Sequence, residues 1–184
     1  MTDDEALIRA AQAGDADAFE RLLERHYDTV YRFAYKWCGN RHDAEDVTQQ
    51  AYLKIARGLG SYRFDSAFTT WLYRVVINCA RDWNRTQQRG SGEPLEDGAP
   101  AESSGGADNP VERHAYLWQL LCKLDQLPEG IKETLLLVHA EGMSHGEAAR
   151  VLAVKESTVS WRLHEFRKHY RDSPDQGGIC EYSR

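Results

Sequence analysis

No proline occurs in residues 1–89, and that absence constrains the fold more than any other feature of the chain. Proline breaks helices, so its absence leaves this half free to run in long ones. Apolar residues recur there at three- and four-residue spacing, the period of a helix. Phe19, Leu22, Leu23, His26, Tyr27, Val30, Tyr31, Ala34 and Trp37 make one long stripe, closed by Gly39 and Asn40. Upstream, Gly14 and Asp15 break a short opening helix, and Asp15 or Asp17 supplies a cap for the next. A third helix is expected to open near Asp43, where Asp43, Glu45 and Asp46 suit a positive helix N-terminus. Its stripe is Ala44, Val47, Ala51, Ile55 and Leu59, and Gly58 and Gly60 close it. A loop over 62–66 leads into a fourth helix with the stripe Leu72, Val75, Val76, Cys79, Ala80 and Trp83. These elements predict a compact all-α domain over 1–89.

Residues 90–111 break the pattern. They hold three of the five prolines and five of the fourteen glycines, and apart from Leu95 and Val111 nothing large to bury. That composition predicts a disordered linker, its ends roughly 25 Å apart as a coil and about 75 Å apart when extended. The linker also sets the net charge of −6. Residues 1–89 carry 13 basic and 13 acidic side chains, and 113–184 carry 10 of each. Between them stand Glu93, Glu96, Asp97, Glu102, Asp108 and Glu112, with no Lys or Arg. Two balanced halves do not grip nucleic acid strongly unaided, so any DNA they meet is held there with a larger partner.

The second half is helical again. A helix over 114–127 carries Tyr116, Leu117, Leu120, Leu121, Leu124 and Leu127 and stops at Pro128, and another over 131–140 ends at Glu141 and Gly142. Helices over 144–152 and 157–170, joined by a turn at 153–156, form a helix–turn–helix pattern. Ser144 with Glu147 three residues on is a capping box. Ala148 and Ala149 are small where the two helices cross, and Leu152, Val154, Val159 and Leu163 form the wedge between them. An αα-hairpin in any bundle shares that wedge. The polar face of Thr158, Ser160, Trp161, Arg162, His164, Arg167 and Lys168 favours DNA binding instead. The expected domains are 1–89, the linker 90–111, 112–171, and a disordered tail over 172–184.

The stretch 61–84, SYRFDSAFTTWLYRVVINCARDWN, crowds aromatics beside arginines. Tyr62, Phe64, Phe68, Thr69, Thr70, Tyr73, Arg74 and Asn78 lie off the apolar stripe or in the turn before it. Exposed aromatics among arginines and amides stack unpaired bases and hold phosphates. The alternative is a helix whose aromatics are all core.

Other classes find less support. No apolar run approaches a membrane span, and MTDDEALIRA is acidic where a signal peptide is basic. Cys38, Cys79, Cys122 and Cys180 form no C-x-x-C pair and two lie in apolar stripes, as buried thiols of a reducing, cytoplasmic compartment do. No nucleophile, acid–base pair or metal cluster converges, so neither an enzyme nor a cofactor or metal is expected.

Four segments in order resemble the extracytoplasmic-function group of bacterial sigma factors, the minimal branch of the sigma-70 family. AGDADAFERLLERHYDTVYRFA resembles its first conserved helices and DAEDVTQQAYLKIARGL its polymerase-binding helix. YRFDSAFTTWLYRVVINCARDW resembles its promoter-melting segment, and LPEGIKETLLLVHAEGMSHGEAARVLAVKESTVSWRLHEFRK its second DNA-binding domain. The resemblance implies two helical domains, region 2 and region 4. It also implies core RNA polymerase, promoter DNA and an anti-sigma factor or other regulator as partners. By position, Tyr62, Phe64, Asp65, Ser66, Ala67 and Asn78 would shape a pocket for a flipped base of the −10 strand. Phe68, Thr70, Trp71 and Arg74 would support it or contact the strand. Thr158, Ser160, Arg162 and Arg167, with Trp161 and Lys168, would meet the −35 duplex, and Asp46, Gln49, Gln50 and Lys54 the polymerase. The linker's acids would occupy the polymerase's basic RNA-exit path.

The chain departs from the family pattern at several points. In Glu45-Asp46-Val47-Thr48-Gln49-Gln50, Gln50 replaces an acid and Thr48 an apolar residue. Thr48 is thereby a candidate regulatory phosphosite, where phosphate would restore negative charge. Ala153 stands at a usual turn glycine, Lys155 at a usual capping serine, Trp161 at a small polar residue and Glu165 on a usually basic face. The rival reading is a helix–turn–helix regulator that binds duplex DNA without polymerase.

Overall fold

The computed structural model describes residues 3–90, Leu124 and 127–171. The linker over 90–111 beyond Gly90, most of the helix expected over 114–127 and the tail lie outside the described residues. The chain divides into two compact units, Met1–Lys123 and Leu124–Arg184.

The first unit is built of α1 (Asp3–Gln12), α2 (Ala16–Cys38), α3 (Arg41–Gly58) and α4 (Phe68–Gly90). Asp15, not Asp17, caps α2, its carboxylate accepting the Ala18 N–H at 3.0 Å. Gly39 ends α2 at φ +77°, where its N–H donates to the Tyr35 carbonyl at 2.8 Å. That left-handed conformation is open to glycine at no steric cost. Helix α3 opens at Arg41, two residues before the expected start, because Asn40 rather than an acid is the cap: its side chain accepts the Asp43 N–H at 3.0 Å.

Helix α2 packs against α1, α3 and α4, and α3 against α4. Leu22, Val30, Phe33, Val47, Ala51, Ile55, Leu72 and Val76 are each 2 % exposed or less at the centre. Each large apolar side chain buried this fully contributes about 1.5–3 kcal/mol. Helix α4 corrects the predicted stripe. Tyr73 and Ile77 are buried, whereas Val75 and Trp83 are only half-buried. Because α4 meets both α2 and α3, its buried face is wider than one stripe and turned toward Tyr73.

The second unit contains α5 (Ile131–Leu135), which loosens into a π-helical turn over Leu136–Ala140, then α6 (His145–Leu152) and α7 (Glu156–Arg171). The capping box at Ser144 is present: its Oγ receives the Glu147 N–H at 3.3 Å and its own N–H donates to Glu147 at 2.9 Å. Hydrogen bonds from the Ser144 hydroxyl and backbone hold the Glu147 carboxyl below the usual carboxylate range. Ala148, Ala149, Val159 and Leu163 are buried as expected, but Val151 takes the central place while Leu152 and Val154 are half-buried.

Ala153 closes α6 at φ +54°, a left-handed conformation that a Cβ makes costly. An L-residue there loses about 1–2 kcal/mol, of which glycine's extra unfolded-state entropy returns about 0.5–1. Ala153→Gly is therefore expected to stabilise the second unit by about 0.5–1 kcal/mol. Slower native-state hydrogen exchange in α6 and α7 checks this, and unchanged or faster exchange refutes it.

Candidate nucleic-acid interface

The connection from α3 to α4 is a short 3-10 turn, Leu59–Ser61, followed by a loop over 62–67. Four side-chain hydrogen bonds hold it. The Gln12 side-chain amide of α1 donates to the carbonyls of both Leu59 and Tyr62 at 2.9 Å. Ser61 Oγ donates to the Gly58 carbonyl at 2.8 Å, and the Tyr62 hydroxyl donates across the loop to the Ser66 carbonyl at 2.5 Å.

Tyr62 lies at the hub of an aromatic cluster, with its ring centroid 4.9 Å from Phe64, 5.5 Å from Phe68 and 5.6 Å from Trp71. Phe68 and Trp71 stack at 5.6 Å, and Phe68 meets the His26 ring edge-on at 5.2 Å. His26 is itself held by Asp4 at 3.0 Å. Tyr62 is 8 % exposed and Phe68 7 %, and both belong to the core cluster with Leu22, Ile55 and Leu72. Burial, then the nearby Asp65, Asp4 and Glu5, pushes the Tyr62 phenol up, so it stays protonated and keeps its hydrogen bond. The expectation of exposed aromatics thus fails for Tyr62, Phe68 and Tyr73, which the four-helix core absorbs. Phe64 and Trp71 remain half-buried at the surface, and Asp65, Ala67 and Asn78 are exposed.

Phe64 stands at φ +62°, a conformation rare for an aromatic residue. Such strain persists only where neighbours over-determine it, and it collects at functional sites. One neighbour is Arg9 of α1, whose guanidinium carbon sits 4.4 Å from the centroid of the Phe64 ring. Nothing in the sequence marks Arg9 or Gln12 for this loop, since some 50 residues separate Gln12 from Tyr62.

Asn78 is exposed on α4. It lies ten residues beyond Phe68 on α4, about 15 Å along the helix axis. Thr70, Arg74 and Asn78 recur at four-residue spacing and form a polar track leading away from the loop, toward Arg81 and Arg85.

Helix α3 presents Asp46, Gln49, Gln50 and Lys54 on its exposed side. Leu53 shares that side at 54 % exposure, a large apolar residue in open solvent. Its place off the stripe of Ala44, Val47, Ala51 and Ile55 was readable from its spacing. Lys54 reaches Asp82 of α4 at 2.8 Å, and this bond is the main cause that raises its pKa. Thr48 faces inward instead. It is 3 % exposed and its Oγ1 has no hydrogen-bond partner. A kinase cannot reach that hydroxyl in the folded domain, so the phosphosite expectation is withdrawn.

In the second unit, Ser160, Trp161, His164, Arg167 and Lys168 are exposed on α7. Trp161 is 55 % exposed, and Ser160 shares a hydrogen bond with His145 of α6 at 3.0 Å. Burial, Arg167 and His145 all lower the pKa of His139 nearby. Thr158 is half-buried. Arg162 departs from its expected place on the outer face. It is half-buried, and a β-carbon built on Gly130 would stand 2.2 Å from its guanidinium carbon. The Arg162 head thus rests on the Gly130 backbone, at φ +90° just before α5. Among the described residues no His, Cys, Asp and Glu cluster could hold a metal ion, and no helix is long and apolar enough to cross a membrane.

Residues 22–90 match the family model Sigma-70 region 2, and residues 117–169 match Sigma-70, region 4. The ECF RNA polymerase sigma factor SigE of Mycolicibacterium smegmatis is 35 % identical over 161 residues, which cover 84 % of this chain and 61 % of that one. The ECF RNA polymerase sigma-E factor of Escherichia coli K12 is 31 % identical over 174 residues, 90 % of this chain and 91 % of that one. Among solved structures, CnrH in complex with the cytosolic domain of CnrY superposes with a TM-score of 0.65 at 25 % identity, over 92 % of this chain and 99 % of that one.

Thr48 gives a direct check on the α3 geometry. Thr48→Val removes a buried hydroxyl without a partner, so stability is expected to hold or rise by up to about 1 kcal/mol. Thr48→Glu puts a charge in the core and is expected to cost at least about 3 kcal/mol. Urea midpoints of the two variants test both signs, and a well-folded Thr48→Glu would restore an accessible position.

Proposed function

Because the chain belongs to the extracytoplasmic-function branch of the sigma-70 family, we propose that it is a promoter-specificity subunit of RNA polymerase. It binds the core enzyme, directs it to promoters through −35 and −10 elements, and opens the −10 region. It acts in the cytoplasm and carries out no chemistry itself. The proposed domains are region 2 over 1–89, an acidic linker over 90–111, region 4 over 112–171 and a tail over 172–184. An anti-sigma factor is the proposed regulator, in keeping with a structural relative that is held by the cytosolic domain of another protein.

The observation that carries this reading is the loop at Phe64. A ring fixed in a strained conformation on an aromatic cluster is a ready platform for one unpaired base. Flipping a base out of its stack costs a few kcal/mol, which stacking and edge hydrogen bonds must offset. Phe64 supplies the stack, and Asp65, Ser66 and Ala67 line its approach with Tyr62 as floor. Phe68 and Trp71 support that floor from α4. Thr70, Arg74 and Asn78 then follow the strand along the helix. On α3 the polymerase meets Asp46, Gln49, Gln50, Leu53 and Lys54. On α7, Ser160, Trp161, Arg167 and Lys168 face the −35 groove and its phosphates, Thr158 flanks them, and Arg162 steadies the helix from behind.

Run-off transcription with purified core polymerase tests the whole reading: transcripts are expected only when the chain is added. No transcript, together with tight duplex binding by the chain alone, would mark a polymerase-independent regulator. Within the reading, Phe64→Ala removes stacking of about 1–3 kcal/mol, a fall of about fivefold to 150-fold in −10 opening. Asn78→Ala is expected to fall less, and both variants to keep polymerase affinity. Permanganate footprinting of the −10 region measures the first effect. Loss of polymerase binding in both variants would reassign the segment to the core alone.

A further inference from the structure

Arg9 lies on α1, yet it touches the centre of the loop surface that precedes α4. Its guanidinium lies over one face of the Phe64 ring, 4.4 Å from the centroid, and a base stacking on that face would have to displace it. No base fits between them. Aromatic partners stack at centroid separations of about 4.5–7 Å, so an intercalated base would need Arg9 and Phe64 to move well apart. The free chain therefore keeps its stacking platform covered.

The cover is built to lift. Arg9 is an exposed side chain, 57 % accessible, and it also pairs with Glu5 one turn earlier at 2.9 Å. Exposed cation–π and i,i+4 ion pairs are weak contacts. The platform beneath does not share that looseness: Gln12 fixes the loop through two hydrogen bonds and Tyr62 ties it to Ser66. A guanidinium displaced from the ring is a mobile cation beside a strand that carries one phosphate per nucleotide, and arginine suits phosphate geometry well.

We propose that Arg9 exchanges with the captured base: the base takes the Phe64 face, and the released guanidinium pairs with a phosphate of the same strand. Arg9 is then a DNA-contacting residue of α1 that engages only after capture. This deepens the base-capture reading and rests on it.

The experiment uses the polymerase holoenzyme and a fluorescent single-stranded −10 oligonucleotide, either intact or abasic at the captured position, across a salt series. One phosphate contact on a single strand changes the slope of log K against log salt by about 0.7. The wild-type slope is expected to be steeper on the intact strand than on the abasic one by that amount. Arg9→Ala is expected to give equal slopes on both strands, and Arg9→Lys to restore the difference. Equal wild-type slopes, or a difference that survives in Arg9→Ala, would overturn the exchange. Failure of the underlying reading looks different: wild type and Phe64→Ala would then bind intact and abasic strands with the same affinity at every salt.

Discussion

The packing of Tyr62 and Phe68 against Leu22, Ile55 and Leu72 joins the stability of the first unit to its surface chemistry. These two rings complete the hydrophobic core at the end of the bundle where α3 gives way to α4. Tyr62, backed by Phe68, is also the floor on which Phe64 stands. A loop of six residues has little of its own to hold it, and ordering each residue costs about 1–2 kcal/mol. Fixing the loop from below by buried aromatics, and from the side by Gln12, lets the site keep a strained residue without disturbing the helices. Rigidity here serves the proposed role directly, since a platform already in place spares a captured base the cost of arranging it.

Much of this was legible in the sequence, for a local reason. Helical stripes, glycine stops and the Ser144 capping box depend on residues three or four apart, and they fell where spacing put them. What spacing could not rank were competing near neighbours, such as Val151 against Leu152 at the hairpin core. The width of the buried face of α4 depends on how many helices it meets, a tertiary fact, and so Tyr73 and Ile77 were read as surface or passed over. Arg9 and Gln12 were illegible outright, because no local pattern ties α1 to a loop so distant in sequence. Thr48 shows the opposite error. A polar residue between Val47 and Gln49 was read as an accessible phosphosite, but helical geometry turned it onto the Ala44–Val47–Ala51 face.

Several cations of the first unit are paired with carboxylates. Arg9 pairs with Glu5, Arg25 with Asp3 and Asp4, Arg41 with Glu45, and Lys54 with Asp82. Pairs this exposed add little to the stability of the fold. Their effect on binding is larger in kind than in size, because each cation must leave a carboxylate before it serves a phosphate. A surface of this sort does not collect DNA through charge alone. It answers to a strand already presented at the right distance, which the proposed partnership with polymerase supplies.

The two units then differ in how they treat arginine. In the second, Arg162 is committed: its head rests on Gly130, where the absence of a side chain lets it approach, and that contact helps fix α7 against α5. The exposed face of α7 is left to Ser160, Trp161, His164, Arg167 and Lys168. Only one of these is an arginine, the residue that most often reads guanine in the major groove. A bulky indole at 55 % exposure replaces the hydrogen-bonding forks expected of a guanine-reading helix. Trp161 offers apolar contact and a single N–H donor, so discrimination by this helix would lean on thymine methyl groups and groove shape more than on bidentate bonds. In the first unit, by contrast, Arg9 is held by contacts weak enough to exchange. One arginine builds its surface by staying, and the other is placed to serve its surface by leaving.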